Sequence, residues 1–78
     1  MFPLYMAKPS ETVQVICIEG GRGIRKKLMD VGIVPKVTVR VISSGERYPT
    51  IVEKDGMRLI LGYGASKKIY VSPISGGE

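Results

Sequence analysis

The stretch Arg22 to Arg40, RGIRKKLMDVGIVPKVTVR, leaves a chain this short few options. It predicts a short helix, a glycine stop, a proline corner and a strand. Ile24, Leu28 and Val31 recur at i, i+4 and i+7 and so share one helical face. Arg25, Lys26, Met29 and Asp30 fall off that face, where water can solvate them. Gly32 follows the periodic run, at a point where a left-handed residue ends a helix at little cost. Pro35 cannot continue a helix and turns the chain into the alternation Val37, Val39, Val41.

The other segments must be arranged around this unit. Thr12 to Ile18 reads as a strand that is apolar on both phases, with Val13, Val15 and Cys17 on one and Ile16 and Ile18 on the other. Either both faces are covered or a bulge shifts the register part-way. Val37 to Ile42, Thr50 to Lys54 and Met57 to Leu61 give three more strands, the last two joined by the tight-hairpin dipeptide Asp55-Gly56. A helical turn is expected at Ala65 to Lys68, before a closing strand from Ile69 to Val71. Residues 1–9 form an arm whose Phe2, Leu4, Tyr5 and Met6 either dock or fray, and a Ser/Gly tail over 73–78 should be disordered. The fold class is therefore mainly β: a small, SH3-like, five-stranded, partly open barrel with one short helix inserted after its first strand. Curling the sheet removes edges that so small a chain could not otherwise cover.

Seventy-eight residues make one domain, and a chain of that size buries only about 60–65% of the surface its unfolded form exposes. Its single cysteine, Cys17, rules out an intrachain disulfide and hence a disulfide-stapled secreted scaffold. The opening MFPLYMAK is too short for a signal peptide, and no apolar run approaches the roughly 20 residues that span a bilayer. A soluble cytoplasmic protein without membrane insertion is expected.

Histidine is absent, which removes the usual general base and the commonest transition-metal ligand together. Cys17 lies mid-strand among valines, the setting of a buried, inert thiol rather than a nucleophile. Glu11, Glu19, Asp30, Glu46, Glu53, Asp55 and Glu78 form no metal-ligand spacing with it or with each other. No catalytic residue, no metal site and no cofactor is therefore assigned. The glycines of GGRGIRK suggest a phosphate-binding turn, but GxxxxGK[ST] is missing, and a tight strand-to-helix turn explains them more simply.

The cluster Arg22, Arg25, Lys26, Lys27 is more informative. Four cations in six residues repel one another by some tenths of a kcal/mol per pair, and only Asp30 offers local relief. A solvated helix face accounts for them in part. The other reading is a docking surface made of Arg22, Arg25, Lys26 and Met29, extended by Lys67 and Lys68 if these lie close. The net charge of +5 fits an acidic partner, and equally fits solubility alone.

Taken together, these residues resemble the FeoA family, small cytosolic companions of the bacterial and archaeal ferrous iron transporter. The likeness rests on IEGGRGIRKKLMDVGIVP, with Gly20, Gly21, Leu28, Val31, Gly32, Ile33 and Pro35. It rests also on LILGYGASKKIYV, with Leu61, Gly62, Gly64, Ala65, Ile69 and Val71, and on the opening Pro3-Leu4. Two departures stand out: Lys36 and Ser10 occupy positions where the family has glycine. A positive φ at Lys36 would be strained or abandoned.

The resemblance implies an SH3-like barrel whose signature residues Gly20, Gly21, Leu28, Gly32, Pro35, Gly62, Gly64 and Ala65 serve the fold. It also implies a non-enzymatic accessory role in ferrous iron uptake through binding to the FeoB transporter, with a homodimer compatible. Similar barrels end iron-dependent repressors, so a transition-metal-binding regulatory module is an alternative. A basic nucleic-acid-binding barrel is another, disfavoured because only Tyr48, Tyr63 and Tyr70 offer rings for base stacking.

Overall fold

Alternating valines and one tight turn after another produce a single antiparallel sheet in the computed structural model, which describes residues 1–74. The strands are β1 (Phe2–Pro3), β2 (Thr12–Ile18), β3 (Thr38–Ser43), β4 (Thr50–Lys54), β5 (Met57–Leu61) and β6 (Ile69–Pro73). Helix α1 (Arg22–Asp30) follows β2, and the one-turn helix α2 (Tyr63–Ser66) precedes β6. The spatial order is β1-β6-β2-β3-β4-β5, and the sheet curls without closing. The mainly β, SH3-like architecture is thus present with one strand more than expected.

The extra strand comes from the arm. Phe2 and Pro3 pair with Val71 and Tyr70 of β6, a 3-10 turn at Leu4–Met6 follows, and Leu4 and Ala7 are buried. The Ser44 hydroxyl donates to the Ala7 carbonyl and ties the arm to the far side of the sheet. At the other end β6 runs to Pro73, and the Ile74 N–H donates to the Thr12 carbonyl at 3.0 Å. Of the disordered tail expected over 73–78, residues 75–78 lie outside the described residues.

The doubly apolar β2 contains a bulge. Its register against β6 shifts between Val15 and Cys17. Val13 and Val15 face the core before the shift and Ile18 after it, while Ile16 turns outward. The extra residue also moves Cys17 off the interior, where it is half-buried rather than sealed.

Of the four non-glycine residues with positive φ among the described residues, two stand at corners where glycine was expected. Lys36 sits at φ 80 and Ser10 at φ 73, so the left-handed turns are kept without glycine. Each costs on the order of 1 kcal/mol. The Lys36 N–H donates to Val15 O at 2.7 Å and the Ser10 N–H to Val41 O at 2.7 Å, so long-range backbone bonds hold both corners in place.

The helical turn before the last strand starts two residues earlier than the sequence suggests. The Gly62 carbonyl accepts the N–H groups of Ala65 and Ser66, and Tyr63 packs edge-on to Tyr5 at 5.1 Å between ring centroids. A Cβ on Gly21, Gly62 or Gly64 would meet nothing within 4 Å, and none of the three has a positive φ. Sterics within this chain therefore do not require glycine at these three positions. Gly20 is different: φ is +117, and a Cβ would stand 2.7 Å from Ile24 Cγ2.

Candidate docking face

Helix α1 is poorly supported by its own sequence. Its N-cap, Gly21, makes no side-chain hydrogen bond, its first turn holds no acidic residue, and Gly23 lies inside it. Arg22 and Arg25 instead place positive charge at the positive end of the helix dipole. What holds α1 is its packing. Leu28 is buried and Ile24 packs against the core.

The helix end supplies the remaining anchor, at a position the periodicity does not reveal. The Gly32 N–H donates to Met29 O at 2.9 Å and the Ile33 N–H to Leu28 O at 2.8 Å, the paired bonds of a Schellman stop. That stop reverses the chain with Gly32 at φ 85, and brings Ile33 back over Leu28. Val31, predicted to share the buried face, is 45% exposed, whereas Ile33 is 1% exposed.

With this face inward, the opposite one carries the candidate residues. Arg22, Arg25, Lys26, Met29 and Asp30 line one shallow depression of about 440 Å³. The four residues singled out from the sequence are therefore neighbours in space. Met29 is 59% exposed with no apolar partner needed to explain it. Lys26 reaches Asp30 at 3.7 Å in an ion pair exposed on both sides, worth a few tenths of a kcal/mol.

Arg25 is less free than its position off the apolar stripe suggests. Its Nη2 donates to Ile18 O at 3.1 Å, so the guanidinium is tethered to the end of β2. That tether forms one wall of a second hollow of about 290 Å³, lined by Cys17, Ile18, Arg25, Met29, Ile33, Val34 and Pro35. The groove is mostly apolar and shares Arg25 and Met29 with the basic depression. Sequence reading missed it because its walls come from the β2 bulge and the segment after Gly32. The only hint was the apolar excess of both.

Lys67 and Lys68 do not extend the cation row as a pair. Lys67 Nζ lies 5.6 Å from the centre of the Tyr63 ring, whereas the Lys68 side chain runs beside Gly20 at the start of α1, where a Cβ would stand 3.3 Å from its Cδ. No group of three or more His, Cys, Asp or Glu side chains comes together among the described residues. None of the described helices is long and apolar enough to cross a membrane. Of the three tyrosines singled out for base stacking, Tyr48 is exposed, while Tyr63 is engaged by Tyr5 and Tyr70 is half-buried in β6.

The FeoA domain family matches residues 2–73, nearly the whole chain. Over 79 residues the chain is 34% identical to a protein provisionally named Fe(2+) transport protein A in Methanocaldococcus jannaschii, covering 100% of this chain and 95% of that one. A crystal structure of an iron uptake regulatory protein, FeoA, superposes with a TM-score of 0.85 at 30% identity, over 92% of this chain and 96% of that chain. ScaR with bound Zn2+ is similar in fold alone. Its TM-score is 0.84 at 20% identity, and the match takes in 95% of this chain but 37% of that protein.

Proposed function

The chain belongs to the FeoA domain family, and we propose that it is a non-enzymatic cytoplasmic accessory of ferrous iron transport that binds the FeoB transporter. The observation that carries the reading is the convergence of Arg22, Arg25, Lys26 and exposed Met29 on one depression, next to an apolar groove that Arg25 and Met29 also line. Cations around an apolar floor suit a partner surface that is acidic at its rim and apolar at its centre. The rim steers the encounter, and the groove supplies the buried contact.

Arg25 has a double part in this reading. Its bond to Ile18 O costs it little charge, because a carbonyl is neutral, and fixes the guanidinium at the groove's edge. An arginine already held in one rotamer loses less entropy when a carboxylate arrives.

The test is the double reversal Arg25→Glu with Lys26→Glu. Co-purification with FeoB should fall about tenfold or more, while circular dichroism and the thermal midpoint report a folded chain. Undiminished co-purification would move the interface off α1. Calorimetry with Fe(II), Mn(II) and Zn(II) tests the regulatory alternative, whose support here is likeness of fold, as to ScaR.

A further inference from the structure

The sheet ends on one side at β1, two residues long and containing Pro3, and on the other at β5. A short, proline-bearing edge protects itself against strand addition; a five-residue edge does not. Within β5, Ile60 is 71% exposed, and its cross-strand neighbour on β4, Ile51, is half-buried. A β-branched residue this exposed on an outer strand is unexplained by the core or by the α1 face.

Hairpin geometry says which backbone groups are open. Asp55 and Gly56 have φ 52 and 78, a two-residue type I′ turn, so Lys54 and Met57 form the hydrogen-bonded pair that flanks it. Pairs then alternate: Leu59 and Leu61 bond to β4, whereas Arg58 and Ile60 aim their N–H and C=O away from it. Those outward groups have no hydrogen-bond partner among the described residues. The next position, Gly62, is extended at φ −62 and ψ 159, with its carbonyl already taken by α2. Its N–H has no hydrogen-bond partner among the described residues.

We propose that β5 pairs antiparallel with β5 of a second copy of this chain, about a two-fold axis at Ile60, joining two sheets into one. In that register Ile60 faces Ile60 of the partner subunit, and the two Ile51 side chains flank them in a four-isoleucine row. The two isoleucines exchange a pair of backbone bonds. The Gly62 N–H reaches Arg58 O of the partner subunit, and its symmetry mate does the same.

Charge selects this register over its neighbour. Arg58, the one charged residue of β5, stands opposite Gly62 of the partner subunit, four positions from the other Arg58. Centring the two-fold axis on Leu59 instead puts the two arginines on a diagonal of the same face and breaks the isoleucine row. A partner of another sequence would meet no such self-match. The pairing uses none of Arg22, Arg25, Lys26 and Met29, so it stands or falls separately from the transporter reading.

Sedimentation equilibrium and concentration-dependent hydrogen exchange on the full chain test it. The expected result is a reversible dimer in which the Ile60 and Gly62 amides gain protection as protein concentration rises. Arg58 should gain none, because the Gly62 carbonyl it would need is occupied. Ile60→Lys should raise the dissociation constant at least about tenfold, and Ile60→Val should leave it nearly unchanged. Because Ile60 is exposed, both variants should fold, which a native-like amide spectrum checks. A monomer up to millimolar concentration, an Ile60→Lys dimer as tight as the original, or protection confined to α1 would each overturn the proposal. Protection of Arg58 instead of Gly62 would overturn the register.

Discussion

In the β4–β5 hairpin the turn chemistry, the core-facing residues and the cross-strand charge pair point the same way. Asp55-Gly56 supplies the two positive φ values, Val52 and Leu61 face inward, and Glu53 sits across from Arg58. Helix α1 differs at each step. It lacks a side-chain cap, carries cations at the wrong end of its dipole and has Gly23 in its interior. The hairpin is specified by its own residues, whereas the helix is held by Leu28, Ile24 and the return of Ile33. The lesson is that the candidate docking face was built on the element whose local chemistry was spent on charge. Removing support from each region should therefore have different consequences.

Leu28→Ala should have the largest effect, lowering stability by about 2–5 kcal/mol in a denaturant titration. Hydrogen exchange should show α1 amides opening first while the β4–β5 ladder keeps its protection. Equal loss in both regions would mean that the helix and the hairpin form one cooperative unit, and the contrast would fail.

A smaller change, of opposite sign, is expected in β4. The Thr50 side chain is fully buried and its Oγ1 has no hydrogen-bond partner among the described residues. Thr50→Val keeps the shape and removes the orphaned hydroxyl, so stability should rise by about 1 kcal/mol. A fall in the unfolding midpoint would show that the hydroxyl finds a partner in solution.

The smallest expected effect sharpens the comparison most. Arg22→Glu replaces a repelled cation at the first helical position by an anion that the dipole favours. Stability should rise by about 0.3–1 kcal/mol at low salt, while binding to FeoB weakens. A variant that is both steadier and a poorer binder would separate the docking role of the cations from any structural one. Unchanged binding with the same gain would leave Arg22 outside the interface.

Much of the site was legible because it depended on spacing along one helix. Arg22, Arg25, Lys26 and Met29 follow from the i, i+3, i+4, i+7 geometry, and they line one depression. The apolar groove was not legible, since Cys17 and Ile18 reach it from β2 through the bulge and Ile33 to Pro35 reach it after the Schellman reversal. Val31 misled because its periodicity runs one residue past the point where the backbone stops being helical.

What the sequence alone determined were features decided within a few residues: the Gly32 and Pro35 stop, the Asp55-Gly56 turn, the strand alternations and the exposed cation cluster. These are steric or entropic preferences that do not need a distant partner. Tertiary structure alone decided that the arm becomes a strand on β6, that β2 bulges, and that Lys36 and Ser10 stay left-handed. Each of those outcomes depends on a bond or contact from far along the chain, such as Lys36 N–H to Val15 O or Ser10 N–H to Val41 O. A strain of about 1 kcal/mol is tolerable only where such a long-range bond would otherwise be lost.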